Sequence, residues 1–177
     1  TLVSIDRHSH SRLRERGGSL LLIELDGFGI AEQFAELRDA LTAVGGRVQA
    51  ETDADGEVLW ELRRSGRGFD LDSWFSGGDI AVPKSRIPEV YAYFAVLQER
   101  YGVEVSAVAH AGDGNLHPLI TLRIPDGADP SAPPATLHDA TDDLVRFALS
   151  VGGAVSGEHG IGAVKRELAA VELSPRT

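Results

Sequence analysis

The chain has 177 residues, 42% of them hydrophobic, enough for one sizeable core or two small lobes. A net charge of −10 argues against nucleic acid as a partner, and the absence of cysteine excludes disulfides and thiolate metal sites. Any metal must therefore use nitrogen and oxygen ligands.

In chain order, residues 1–18 read as a polar linker or leading helix, with His8 and His10 solvated. Residues 19–26 read as a buried strand, and a helix follows from Ala31 to Val44, ended by Gly45-Gly46. Residues 47–52 suggest a short strand and Ala54–Arg64 a helix. The Gly/Ser-rich stretch Ser65–Gly78 reads as loop, with Trp74 and Phe75 assigned to the core. Asp79–Pro83 is a short strand, and Pro88 opens a helix running to Tyr101. A hairpin occupies 103–124, a loop 125–134, and helices 135–151 and 160–171, separated by Gly152-Gly153. This order predicts an α+β fold, an antiparallel sheet layered with helices, most simply ferredoxin-like units.

The hairpin carries the chemistry. A two-residue turn at Asp113-Gly114 would set residue 110 opposite 117 and 111 opposite 116. His110 and His117 would then share a face, with Cβ atoms roughly 5 Å apart, close enough to share one metal ion. The opposite face, from Val103, Val105, Ala107 and Ala109 to Pro118, Ile120, Leu122 and Ile124, is uniformly apolar and should pack on a core. Pro118 implies an incomplete ladder on the outer side of its strand.

A second cluster, Ser156-Gly157-Glu158-His159-Gly160-Ile161-Gly162, supplies a carboxylate and another imidazole. Two histidines and a glutamate leave a coordination position open, the pattern of a catalytic zinc site, and the same donors suit manganese or iron. Glu158 and His159 are neighbours, so one would ligate while the other faces substrate. A neutral imidazole there could act as general base. On these residues alone, a pair of surface histidines and a Gly-rich turn are equally good readings. Asp113 and Asn115 could add supporting hydrogen bonds, His138 reads as solvated, and Arg63 and Arg64 as either a solvated face or a clamp for a substrate carboxylate.

His110-Ala111-Gly112-Asp113-Gly114-Asn115-Leu116-His117-Pro118, followed by the 156–162 cluster, resembles the C-terminal domain of the FAD-linked oxidases, the group of glycolate oxidase, D-lactate dehydrogenase and D-2-hydroxyglutarate dehydrogenase. Glu24–Gly27, Trp60–Arg63 and Asp79–Pro83 look like further landmarks, so the resemblance covers nearly the whole chain, with residues 19–177 as the domain. It implies a cap on a separate flavin domain, with His110, His117 and Glu158 holding a divalent metal, zinc before manganese or iron. His159 would take the hydroxyl proton of a 2-hydroxy acid while hydride leaves for FAD. Arg63 would hold the substrate carboxylate, and Asn115 would support the ligands from behind. The segment Trp74–Gly78 lacks the lysine that some dicarboxylate-using members place there, which favours a smaller acid.

The implied partners are a flavin-binding domain, in the same polypeptide or a companion chain, a small 2-hydroxy acid and an electron acceptor; self-association is compatible with all of this. No apolar run approaches the ~20 residues of a membrane span and no signal peptide is read, so the cytoplasm is the expected location, at a membrane periphery if the acceptor is respiratory. The lack of methionine and of a finishing element after Glu172 suggest a fragment, inactive alone. The competing expectations are a non-catalytic interaction domain that keeps the fold and a self-contained metallohydrolase.

Overall fold

A computed structural model describes residues 2–50, 53–65, 72–163 and 165–173. The chain forms two compact units, residues 2–68 and 69–177. The first is helical: α1 (Leu2–Ser9), α2 (Leu13–Arg16), α3 (Ile30–Ala43) and α4 (Asp53–Arg64). Asp6 accepts from the backbone N–H groups of Leu13 (2.7 Å) and Arg14 (2.9 Å), satisfying donors that the first turn of α2 leaves open. Ile5, Leu13 and Leu59 form its small core, with Leu2, Leu22 and Leu62 against them.

The strands expected at 19–26 and 47–52 are not formed by the described residues 19–26 and 47–50; residues 51 and 52 lie outside the description. A strand needs a neighbour to satisfy its N–H and C=O groups, and no described segment pairs with either. Leu21 stays 58% exposed, so apolar composition reported a tendency to be buried and said nothing of a pairing partner.

The second unit contains β1 (Ser73–Gly77), β2 (Ile80–Ala81), α5 (Ile87–Tyr101), β3 (Glu104–His110), β4 (Asn115–Arg123), α6 (Ala135–Ser150) and α7 (Arg166–Glu172). β4 is central, with β3 on one side and β1 and β2 on the other, all antiparallel. β1 and β2 share one register, from Ser73↔Arg123 to Ala81↔Asn115, interrupted at Gly78 and Asp79 opposite Pro118 and His117. The ladder breaks where Pro118 has no N–H to give. A single bridge, Ala81↔Ala154, adds a vestigial strand beyond β2. The order Ala154, β1/β2, β4, β3 is that of a ferredoxin-like unit whose last strand is reduced to one residue pair. The fold is therefore α+β, as the sequence predicts.

One face of the sheet is the core face. Ile80, Leu116 and Ile120 pack there with Val90, Phe94 and Leu97 of α5 and Leu137, Ala140, Leu144 and Ala148 of α6. These helix positions recur at three- and four-residue intervals, one stripe per helix. α5 has Pro88 in its first turn and stops at Gly102, whose N–H returns to the Gln98 carbonyl. Tyr93 stacks on Phe147, ring centroids 3.9 Å apart, while Tyr93, Tyr101 and Arg100 all donate to Asp143 and tie the two helices together.

Three expectations change here. The stretch read as loop contains β1; Trp74 is half-buried against the core, but Phe75 on the other face is exposed. The final helix begins at Arg166 rather than 160, because Gly160 and Gly162 adopt positive φ in a turn. Among the described residues, no helix is long and apolar enough to cross a membrane.

Candidate metal centre

The hairpin turn is longer than its sequence signal suggests. Ala111–Gly114 make the turn, with the His110 carbonyl accepting from Asp113 N (3.0 Å) and Gly114 N (3.1 Å). His110 consequently pairs with Asn115, and Val108 with His117. The reason is tertiary: the Gly114 carbonyl accepts from Val82 N (2.9 Å), which draws Gly114 into the edge contact beyond β2. Gly114 has φ +80°, and a Cβ there would stand 2.1 Å from the Val82 carbonyl oxygen, so only glycine fits.

The register thus differs by two residues from the expected one, and a shift of two leaves every side chain on its face. His110 and His117 remain together as diagonal neighbours, ring centroids 5.3 Å apart and edge to face. They point away from the helix-packed core, as the alternation predicts.

The 156–162 loop closes over this face. Glu158 Oε1 lies 2.9 Å from His117 Nε2, 3.7 Å from His110 Nε2 and 3.6 Å from His159 Nε2. His159 stacks on His117 with centroids 4.9 Å apart. One ligand atom from each of His110, His117 and Glu158 falls within 4.8 Å of the others, all three being nitrogen or oxygen donors. Tetrahedral zinc sites with ~2.1 Å bonds hold their donors roughly 3.4 Å apart, so this donor set suits such an ion with modest tightening. His117 is buried, and burial pushes its imidazole pKa down; Glu158 opposes this, and His159 and His110 reinforce it. Its neutral form, the one that ligates metal, is favoured.

Asn115 is buried beside His117, and its Oδ1 has no hydrogen-bond partner among the described residues. It packs directly on the loop: a Cβ on Gly157 would come within 2.2 Å of that oxygen. Asn115 is thus a buttress for the loop. Arg63 sits in the last turn of α4, in the helical unit. His138 is exposed, 3.9 Å from Asp142 on its own helix, as a solvated histidine should be.

Sequence reasoning passed over two residues. Asp79 is completely buried at the break between β1 and β2. Its carboxylate accepts from the backbone N–H groups of Gly157 (2.7 Å), Glu158 (2.5 Å) and His159 (2.9 Å) and from the Ser156 hydroxyl (3.1 Å). Lys165 donates to Asp79 Oδ1 at 2.7 Å and to the Val155 carbonyl at 2.7 Å. Burial pushes the Asp79 carboxyl pKa up, but the Lys165 ammonium and the backbone donors outweigh it and hold the group well below the usual carboxylate range. The available signal was an acidic residue set between Gly77-Gly78 and the apolar Ile80-Ala81-Val82.

Fold and donor set together define an α+β domain with a His/His/Glu cluster on the open face of its sheet. This chain belongs to the family described as FAD linked oxidases, C-terminal domain, which matches residues 1–177. It is 30% identical over 171 residues to the glycolate oxidase subunit GlcD of Bacillus subtilis, covering 93% of this chain and 36% of that protein. It is 33% identical over 151 residues to the D-lactate dehydrogenase of Archaeoglobus fulgidus, covering 84% and 32%. The GlcD subunit of Escherichia coli is 33% identical over 156 residues, covering 83% and 30%. The chain therefore spans about a third of the length of these relatives.

Proposed function

We propose that this chain is the substrate- and metal-binding cap of a flavin-dependent 2-hydroxy-acid dehydrogenase or oxidase. The convergence of His110, His117 and Glu158 donor atoms within 4.8 Å, beside His159, carries the reading. The substrate class comes from the relatives, whose names specify glycolate and D-lactate, both small 2-hydroxy acids. The absence of a lysine from Trp74–Gly78 accords with a small acid.

In this reading His110, His117 and Glu158 hold a divalent ion, zinc before manganese or iron. Such an ion supplies Lewis acidity toward the substrate oxygens, and FAD in the companion domain supplies two-electron acceptance. His159 is the base for the substrate hydroxyl, its Nε2 3.6 Å from the Glu158 carboxylate. Arg63 is assigned to the substrate carboxylate on the sequence resemblance, an Arg–carboxylate pair being both charged and directional. Companion flavin domain and electron acceptor complete the enzyme.

Elemental analysis of protein purified without chelator, beside a His110→Ala/His117→Ala variant, tests this. Near-stoichiometric zinc, manganese or iron in the native chain and its loss from the variant are expected. A native chain that stays metal-free after supplementation, with its flavin domain present, would sink the metal-binding half of the proposal.

A further inference from the structure

We infer that Asp79, anchored by Lys165, is a positioning residue that presents Glu158 and His159 to the hairpin histidines; this rests on the metal-site reading above. Three successive backbone N–H groups, from Gly157, Glu158 and His159, converge on one oxygen, Asp79 Oδ2. Successive N–H groups turned inward make an anion-binding nest, a feature that elsewhere holds phosphates. Here the chain's own carboxylate fills it, 78 to 80 residues away in sequence.

The contact fixes backbone orientation at the two residues whose side chains matter. With Glu158 N and His159 N held by one atom, the Glu158 carboxylate reaches His117 at 2.9 Å and the His159 ring stacks on His117. The same residue is tied to the other half of the cluster. In the register running from Gly77↔Leu119 to Ile80↔Leu116, Asp79 falls opposite His117. One carboxylate thus relates the hairpin to the loop.

Lys165 locks the arrangement by bonding both Asp79 and the Val155 carbonyl at the start of the loop. A fully buried carboxylate is costly unless every acceptor is used, and Asp79 spends its acceptors on this loop and its anchor. An apolar side chain would fill the space at less cost but could not orient three N–H groups.

The experiment has two arms, both on the full chain. Amide hydrogen exchange of the metal-free native protein should show protected N–H groups at Gly157, Glu158 and His159, although all three residues are exposed. Exchange at unprotected rates there overturns the inference. The second arm measures zinc affinity by chelator competition for native, Asp79→Asn and Asp143→Asn proteins. Asp79→Asn should lose about 10–100-fold in affinity, the usual effect of removing a group that orients metal ligands. Asp143→Asn removes the charge and the Oδ2 acceptor that hold Arg100 and Tyr101 and should lower the melting temperature, yet it should leave zinc affinity unchanged.

Equal zinc affinity in Asp79→Asn and native protein overturns the positioning role and leaves the metal site standing. Protected amides in a native chain that binds no zinc even with its flavin domain present would overturn the metal-site reading and the role built on it. If Asp79→Asn fails to fold, Lys165→Gln, which keeps the carboxylate but loosens its anchor, is read in its place, with a weaker loss expected.

Discussion

Burial separates His117 from the other histidines of the cluster. It is 8% exposed, and burial first, then the neighbouring His159 and His110, hold its pKa below the ordinary 6.5 despite the opposing Glu158 carboxylate. The folded protein then binds fewer protons than the unfolded chain as acid is added. Its contribution to stability is complete above about pH 6.5 and is lost as pH falls through the depressed folded value. The melting temperature of chelator-treated protein should therefore drop on acidification from about pH 7.5 to about pH 5, and His117→Gln should flatten that profile. An unchanged slope in the variant would assign the acid sensitivity elsewhere. At this scale the sequence was legible where residues are close in the chain. His110 and His117 flank one turn, Glu158 and His159 are adjacent, and Asn115 lies within the same motif. Asp79 and Lys165 are 86 residues apart, and no local pattern announces their pairing.

The secondary-structure elements show what a periodic pattern does and does not specify. α5 and α6 form close to where the sequence places them, because Val90, Phe94 and Leu97, and Leu137, Ala140 and Leu144, align as apolar stripes. Leu144 is 1% exposed at the centre of the core, so Leu144→Ala should destabilise the second unit. The expected loss is about 2–5 kcal/mol, read as a lower denaturant midpoint. A loss well below that range would mean the core collapses around the gap. The hairpin is the informative partial success. Alternation fixes its faces, and these agree with the sequence, but its turn spans four residues, Ala111–Gly114, where the sequence signal marks two. The tight-turn signal of Asp113-Gly114 was overridden by the bond from Val82 N to the Gly114 carbonyl, made by a segment 32 residues earlier.

On the scale of the whole molecule, the two units differ in how much they bury. The helical unit gathers Ile5, Leu13 and Leu59, whereas the second unit surrounds its sheet with residues from every element after Gly77. The chain spans about a third of its relatives' length, and the proposal leaves flavin binding to a companion domain. Purified chain should accordingly fail to reduce an artificial acceptor with glycolate or D-lactate, and activity should appear when the flavin-binding domain is supplied. Acceptor reduction by the chain alone, without flavin, would overturn the assignment of electron acceptance to a companion flavin domain.

The sequence by itself determined the family, the α+β class, the sheet faces and the donor set. Each of these rests on local motif identity or on short-range periodicity, which survive an error of register by two. Only the tertiary structure decided the true turn, the interruption of the edge strand at Pro118, and the buried Asp79–Lys165 pair beneath the loop. Those features depend on which distant segments satisfy one another's hydrogen bonds, and hydrogen-bond partners are chosen in three dimensions.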